Sequence, residues 1–531
     1  MAFVSVKFIG FLLVSMILYY SVPKKYQWTV LLAASCVFYW INSSWLLAVL
    51  LVSVCVTYFC ALEIYRINTA GRAELKNKSG LTKQDIAAIR TQTKKKAKRI
   101  LNLGVAADLG ILVFLKYYNF FAETANTAIG KTGITLPYLH LLLPLGISFY
   151  TLQALAYMID IYRGKYEPER NILKFTLFMS FFPQIVQGPI PRFKQFAYQL
   201  YDEHEFDYER MVSGCLLILW GFMKKLIIAD RLAIPVNMIF DRYNDFTGLV
   251  LFGAAAMYGI QVYTDFSGGM DIARGAAQLF GIELELNFRQ PYFSTSIEDF
   301  WRRWHITLGS WMKDYVFYPL SLSRRFANMS RKARKVFGNS FGKKLPAFIA
   351  MFTVYFLVGI WHGADWKYIL YGIWNGVFIV SGILLEDTYV KIRRTFRFED
   401  EQFSWHIFRI LRTFVLITFG RYFSRADSSI AALRMMKNTF QSWKDLSFIT
   451  DGFLVKRLGL NTAGWLVLLI AILILFLVDY LHEKGIEIRK EIMCQPLVFR
   501  WGIYIFSVIL ILVFGIYGPA YNAAGFIYEQ F

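Results

Sequence analysis

Apolar runs recur along nearly the whole chain, separated by short polar segments. A spanning helix needs about 20 mostly apolar residues, and the runs here predict about eleven spans. Residues 3–20 lack a basic leading region and a small-residue cleavage pattern, so they read as a first span and not as a signal peptide. Residues 28–40, 45–64, 100–120 and 141–161 follow, and within the last of these Pro144 and Gly146 predict a kinked or broken helix. Residues 175–186 run into Gln187-Gly188-Pro189-Ile190-Pro191. That segment reads as a re-entrant element, because polar backbone at membrane depth must be buried or line a cavity. Further spans are predicted at 211–229, 247–264, 345–361, 366–385, 408–423, 463–480 and 500–518. The expected fold class is an all-α integral membrane protein, one polytopic domain over residues 1–531 with no evident internal repeat.

Two polar stretches break the pattern. Residues 66–99 carry eleven Lys and Arg against Glu74 and Asp85, and read as a basic loop. Lys24-Lys25 belongs on the same side and the neutral Asn42-Ser43-Ser44 turn on the other, which makes the loop cytoplasmic and the N-terminus external in a cell membrane. The second stretch, 287–345, is an amphipathic insert that carries His305. Thr295 and Glu298 form a capping-box pattern after Pro291. Ile297, Phe300, Trp304, Leu308, Trp311 and Tyr315 then recur at three- and four-residue steps, predicting one helix. His305 falls on the edge of that stripe, beside Trp301 and Met312, where a side chain can face a cavity. An interfacial helix anchored by Trp and Arg is the competing reading.

Composition sharpens the class. The chain of 531 residues is 56% hydrophobic and only 18% charged, against about a quarter in soluble domains. Its net charge of +21 comes from 58 Lys and Arg set against 37 Asp and Glu. The basic residues gather between apolar runs, so the positive-inside rule explains the excess and nucleic acid is not an expected partner. Cys36, Cys55, Cys60, Cys215 and Cys494 lie in apolar segments without a CxxC pair, read as small core residues, and imply no metal site.

His362 is the sharpest single signal. It ends the uncharged run 345–361, and Trp361-His362-Gly363-Ala364-Asp365 then leads into the next apolar run, so 345–385 reads as a helix pair broken at membrane depth. Ionisable groups at that depth are costly, and imidazole is a suitable general base near neutral pH. A histidine hydrogen-bonded into the helix junction remains the alternative. His140, His204, His406 and His482 lie beside polar segments or have no companion motif.

At these residues the chain resembles the membrane-bound O-acyltransferase family, most closely its bacterial alginate O-acetyltransferase branch. The resemblance runs through Leu143-Pro144-Leu145-Gly146-Ile147-Ser148-Phe149-Tyr150, Gln187-Gly188-Pro189-Ile190 and Tyr263-Thr264-Asp265-Phe266-Ser267-Gly268. It continues through Asn287-Phe288, Pro291-Tyr292, Phe300-Trp301-Arg302-Arg303-Trp304-His305, Trp361-His362-Gly363-Ala364 and Phe526-Ile527-Tyr528.

That resemblance implies a ring of tilted spans around a central funnel, with re-entrant and amphipathic helices. It implies His362 as the catalytic histidine and His305 as a second polar position on the same tunnel. Asp265, Asn287, Trp301, Arg302, Arg303, Trp304 and Trp361 would shape the tunnel or hold the histidines, although a packing role is equally open for the aromatic and capping residues among them. The implied reaction moves an acyl group, for this branch acetyl, from a cytoplasmic thioester donor toward hydroxyls of an exported polysaccharide or other envelope glycan. The donor, acetyl-coenzyme A or an acyl-carrier protein, would be a substrate, with no tightly bound cofactor. An exported acyltransferase would be the partner, in addition to membrane lipid. Basic residues 324–335 are a candidate contact for donor phosphates, or simply a positive-inside loop. D-alanyl transfer to teichoic acid from a carrier protein is the rival within the family. A transporter or flippase with a histidine proton relay is the rival outside it.

Overall fold

Helix length follows from how far each stretch of good helix formers runs past its apolar segment. A computed structural model describes residues 1–129, 135–399, 402–443, 452–517 and 526. These residues form two compact units, Met1–Gly214 with Ala276–Glu285, and Cys215–Gly275 with Leu286–Phe531.

The first unit contains α1 (Val6–Ser21), α2 (Gln27–Ser43), α3 (Leu47–Asn77), α4 (Lys83–Ile129), α5 (Ile147–Tyr162), α6 (Ile172–Ser180), α7 (Phe182–Ile185) and α8 (Phe193–Tyr201). Residues 66–99 are not a loop: they are the end of α3, a short turn and the start of α4. Their Lys, Arg, Glu and Ala are strong helix formers, so both helices continue beyond their apolar portions. Helix α5 starts only at Ile147, after Gly146 at φ 69°, where a Cβ would stand 2.2 Å from the Ile185 carbonyl oxygen. The apolar segment 175–186 falls into two short helices, α6 and α7, joined at Phe181, and the polar residues 187–191 follow as buried backbone that is not helical. Asp108 on α4 is buried and accepts hydrogen bonds from Ser53 at 2.7 Å and Thr57 at 2.9 Å, one helical turn apart on α3. Hydroxyl donors of this kind are what a buried carboxylate requires.

The second unit begins within α9 (Tyr208–Phe222), which continues through a π-helical stretch, Met223–Ala229, into α10 (Asp230–Asp241) and then α11 (Gly248–Gln278). After α12 (Ile297–Arg303) and α13 (Ile306–Met312) come a second π-helical turn, Lys313–Phe317, and α14 (Tyr318–Ser321). Then follow α15 (Arg324–His362), α16 (Trp366–Leu384), α17 (Glu386–Thr395), α18 (Phe403–Arg425) and α19 (Ser429–Thr439). The last helices are α20 (Phe453–Arg457), α21 (Thr462–Glu483), α22 (Ile488–Met493) and α23 (Leu497–Phe514).

Basic residues 324–335 are the first turns of α15, not a loop, and α15 kinks at Gly338. Helices α15 and α16 form a tight antiparallel hairpin. A Cβ on Gly359 would lie 2.5 Å from the Tyr368 carbonyl oxygen, and one on Gly372 would lie 2.4 Å from that of Tyr355. Asp365 caps α16 through the Lys367 amide at 2.9 Å. Among the described residues the only ladder-type pairing is an isolated bridge between Phe288 and Trp304.

Eight helical segments among the described residues are long and apolar enough to cross a membrane, and the chain is a multi-pass membrane protein. Helices α1 and α5 are shorter, at 16 residues each, and α18 is interrupted by Arg409, Arg412 and Arg421. The cysteines are not core residues. Cys55, Cys215 and Cys494 are exposed and Cys36 and Cys60 half-buried.

Candidate functional site

The stretch around His305 is two helices, not one. Its first N-cap is Ser296, not Thr295, and it accepts from the Asp299 amide at 3.0 Å while the Asp299 carboxylate accepts from the Thr295 amide at 3.3 Å. Helix α12 then stops at Arg303, and Trp304 is extended at φ −109° and ψ 127°. The break is imposed from outside the helix. The segment 287–289 pairs with it antiparallel, through Arg289 N–H to the Arg303 carbonyl at 2.9 Å and Ile306 N–H to the Asn287 carbonyl at 3.0 Å. The 3- and 4-residue periodicity survives because both short helices keep their apolar faces inward.

Between the two helices His305 sits in the left-handed region, at φ 49° and ψ 53°. That conformation costs a non-glycine residue about 1–2 kcal/mol. Such strain persists only where surrounding structure over-determines it. Here the two backbone hydrogen bonds that flank it, and Asn287, do so.

Asn287 Oδ1 accepts from the Thr307 amide at 2.9 Å and from Thr307 Oγ1 at 3.0 Å. A backbone N–H can only donate, so the atom it meets must be the amide oxygen. The Asn287 Nδ2 group is then left to face His305 Nδ1 at 3.3 Å and Met270 Sδ at 3.5 Å. Nδ1 also stands 3.4 Å from Oδ1, but that oxygen already accepts twice from Thr307, which favours a Nδ1 that accepts from Nδ2 and a neutral ring with its proton on Nε2. Burial holds the His305 imidazole well below its ordinary range, and the nearby His362 pushes it the same way. The ring is therefore neutral at physiological pH.

From His305 a chain of ring contacts leads to the second histidine. His305 meets Phe266 edge-on at 5.0 Å and Trp361 at 5.6 Å between centroids. Trp361 meets His362 at 5.2 Å, and His362 meets Tyr371 at 5.8 Å. Arg421 closes the circuit, with Nη1 3.5 Å from the Tyr371 hydroxyl and its guanidinium 4.7 Å above the Trp304 ring. His305, His362, Trp304, Trp361 and Asn287 thus come together, and all five are buried. His362 is the last residue of α15, where Gly363 turns the chain back; a Cβ there would strike the Tyr368 ring at 2.4 Å.

A cavity of about 300 Å³ reaches His305, walled by Trp301, Arg302, Trp304, Tyr355 and Lys313. The Trp301 indole N–H donates to Asn375 Oδ1 at 3.2 Å. Arg302 is exposed beside Glu298 at 3.7 Å, whereas Arg303 bridges Asp299 at 3.2 Å and Glu483 at 2.7 Å. Asp265 lies in another cluster, 2.6 Å from Lys225 of the π-helical stretch, which also meets Asp230, the first residue of α10, at 2.9 Å. Lys224 beside it pairs with Asp271 at 2.5 Å. Phe526 lies with its ring under Lys225, while Ile527 and Tyr528 fall outside the described residues.

The sequence singles out neither Arg421 nor Tyr371 as a residue of the site. An arginine among the apolar residues of α18 was the available signal for the first. The tyrosine, one of 32, offered none.

A profile of the membrane-bound O-acyltransferase family matches residues 169–425. A probable alginate O-acetylase of Azotobacter vinelandii is 34% identical over 425 residues, which cover 80% of this chain and 74% of that protein. A probable alginate O-acetylase of Pseudomonas aeruginosa is 34% identical over 433 residues, 81% of this chain and 73% of that protein. A peptidoglycan O-acetyltransferase of Helicobacter pylori is 31% identical over 364 residues, 64% of each chain. With relatives of this extent in the same family, the chain is an O-acyltransferase and belongs to the membrane-bound O-acyltransferase family.

Proposed function

We propose that the protein transfers an acetyl group from a cytoplasmic thioester donor toward hydroxyls of an exported polysaccharide or other envelope glycan. The observation that carries this reading is the pair of buried histidine rings, His305 and His362, each in contact with Trp361, at 5.6 and 5.2 Å between centroids. In the proposed step the acceptor hydroxyl oxygen bonds to the carbonyl carbon while the carbon–sulfur bond breaks. His362 takes the hydroxyl proton and returns it to the departing thiolate. His305, in the tautomer that carries its proton on Nε2, donates a hydrogen bond to the thioester oxygen as negative charge builds there. Trp301, Trp304 and Trp361 shape a dry passage, Asn287 fixes the His305 tautomer, and Arg302 and Arg303 flank the entrance.

The cytoplasmic donor side rests on the positive-inside pattern. The basic start of α15 and the Lys391, Arg393 and Arg394 cluster of α17 lie at the ends of α15 and α16 away from His362. The same reading includes a ring of about eleven tilted helices around a funnel, a single functional domain, and an exported acyltransferase that completes delivery. The donor is acetyl-coenzyme A or an acylated carrier protein.

The test is transfer of labelled acetyl in membranes carrying the wild type or His362→Ala. Loss of transfer by a variant that remains folded supports the assignment and excludes a transporter. Full transfer by that variant overturns it, and labelling only from a D-alanyl donor would move the protein to the teichoic acid reading.

A further inference from the structure

Helix α23 is held at one end and parted from its neighbours toward the other. Beyond its C-terminus the Ile516 N–H donates to the Leu226 carbonyl at 3.0 Å, and Arg231 Nη2 donates to the Phe514 carbonyl at 2.9 Å. Of the helix's own eighteen residues Ile511 alone is buried. N-terminal to that point a cleft of about 180 Å³ separates α23 from residues 216–223 and the end of α21. Leu217, Trp220 and Met223 form one wall, and Ile503, Leu510 and Ile511 form the other. The cleft shares no residue with the cavity at His305.

A gap lined this way is not filled by water, because apolar cavities stay dry. Left empty, it would forfeit the dispersion contacts of both walls. It is also too small for a helix. A single turn, about 5.4 Å long and about 10 Å across, occupies roughly 400 Å³, more than twice the space present. A flexible hydrocarbon chain fits where a helix does not.

One end of the cleft is polar and basic. His482, in the last turn of α21, and Arg489, on α22, both line it, and among the described residues no carboxylate does. Ser507 and Ile511 also line it, and Arg500 and Tyr504 lie on that same stripe of α23, one and two turns nearer its start. Arg500 Nη1 stands 3.4 Å from the Met493 carbonyl at the end of α22. Its Nε and the Tyr504 hydroxyl are buried and have no partner among the described residues. Such groups are rare in a folded chain, and each calls for a ligand or a water. In the connection from α21 to α23, Glu483 is engaged by Arg303 at 2.7 Å and Glu487 by Lys490 at 2.5 Å, while Glu491 is exposed.

We infer that this cleft is a binding site for an anionic glycerophospholipid, with one acyl chain between residues 216–223 and α23 and its phosphate on Arg489, Arg500 and Tyr504. Arginine forks suit phosphate oxygens, and basic recesses between membrane helices suit acidic lipid headgroups. The site differs from general contact with the bilayer in having a closed apolar slot and a defined headgroup end. The bound chain fills the gap that would otherwise leave α23 held only at Ile511 and beyond. Leu226, where that hold is made, belongs to the π-helical stretch that carries Lys225.

The experiment uses the full chain purified in detergent and washed free of lipid. Native mass spectrometry and thermal unfolding are recorded with dioleoyl phosphatidylglycerol, with phosphatidylcholine of the same chains, and with inorganic phosphate. The wild type should retain one phosphatidylglycerol under conditions that strip phosphatidylcholine, and only phosphatidylglycerol should raise the melting temperature, by a few degrees. Arg500→Gln should weaken its binding about tenfold, the scale of one lost charge-assisted hydrogen bond. Adding Arg489→Gln should bring it to the phosphatidylcholine level. Ser507→Leu extends a side chain into the slot, so it should block retention while the lipid-free protein melts no lower than wild type. Lys437→Gln, which removes an exposed charge on α19, should change nothing. Equal retention of the two lipids by wild type overturns the inference, as does undiminished phosphatidylglycerol binding in the folded double variant. Stabilisation by inorganic phosphate with no lipid retained would make this an anion site without a chain and also overturns it. So would a lipid-free dimer that dissociates on Ser507→Leu, which would give the cleft to a second copy. No readout involves acyl transfer, so the outcome is independent of the function proposed above.

Discussion

The side-chain amide of Asn287 faces the ring of His305, with Nδ2 3.3 Å from Nδ1. The orientation is not free to reverse, because Oδ1 is already accepting from the Thr307 amide. Replacing the amide by a carboxylate changes the hydrogen-bond logic without changing the shape. Asn287→Asp should draw the His305 proton to Nδ1 and leave Nε2 as an acceptor. Acyl transfer should fall about 100-fold in kcat with KM little changed, the scale of a lost proton-transfer or polarising group. The check is steady-state kinetics on a variant whose melting temperature matches the wild type.

The two histidines should separate kinetically. His362→Gln removes the proposed base and should lower kcat by about 10²–10⁴-fold. His305→Gln keeps a side-chain N–H donor of similar reach and should cost less. Equal losses in both would contradict the division of roles and point to a shared one.

The His305 ring also makes a pH prediction with a fixed sign. Burial disfavours its charged form, so its titration lies below the ordinary histidine range. Acidification from neutral pH to about 6 should leave it neutral, although a free histidine would be largely charged there. Nitrogen-15 resonances of labelled histidine, assigned by comparison with His305→Gln, would report this directly. A ring that charges near pH 6.5 would mean that water reaches it.

Much of this site was legible because its chemistry violates the membrane pattern. His362 stands at the end of seventeen uncharged residues, 345–361, and the α15 terminus falls on it. His305 was legible as a polar residue on an apolar stripe, but its conformation was not. The helical periodicity from Ile297 to Tyr315 is satisfied by two short helices as well as by one. The break depends on pairing with residues 287–289, a contact that no local pattern contains. Residues 66–99 differ from the expected loop for a related reason: charge alone does not mark a loop, because Lys and Arg are good helix formers wherever a helix leaves the bilayer. Asp265 lies in a motif of the family resemblance, yet its partner Lys225 is forty residues away on the π-helical stretch.

The α15–α16 hairpin sets the position of His362 by backbone approach. Gly359→Val would place a Cβ 2.5 Å from the Tyr368 carbonyl oxygen, which is fixed by α16 and cannot swing aside. Overpacking of this kind costs about 1–3 kcal/mol. A lower melting temperature in detergent, together with a loss of activity larger than that of a distant variant of equal stability, is the expected result. Gly502→Ala, where a Cβ would meet nothing within 4 Å, is the control and should behave as wild type.

Asp265 and Lys225 provide the sharpest separation of folding from chemistry. Both side chains are buried, and Lys225 meets Asp265 at 2.6 Å and Asp230 at 2.9 Å. Lys225 is shared by the two carboxylates, so losing the cation leaves more uncompensated charge than losing either anion, and breaking a buried pair costs about 3–5 kcal/mol. Lys225→Met should therefore reduce the folded yield sharply, whereas Asp265→Leu leaves Lys225 paired with Asp230 and should cost less. Adding Asp265→Leu to Lys225→Met takes away one of the two carboxylates and should recover part of the loss, since a well-packed apolar pair can be as stable as the ion pair. Asp230 still lacks Lys225 in that double variant, so recovery should be incomplete unless Asp230→Asn is added. If the cluster only holds the π-helical stretch, the triple variant keeps kcat near wild type once corrected for folded protein. A triple variant that folds and remains inactive would put Asp265 in the reaction path after all.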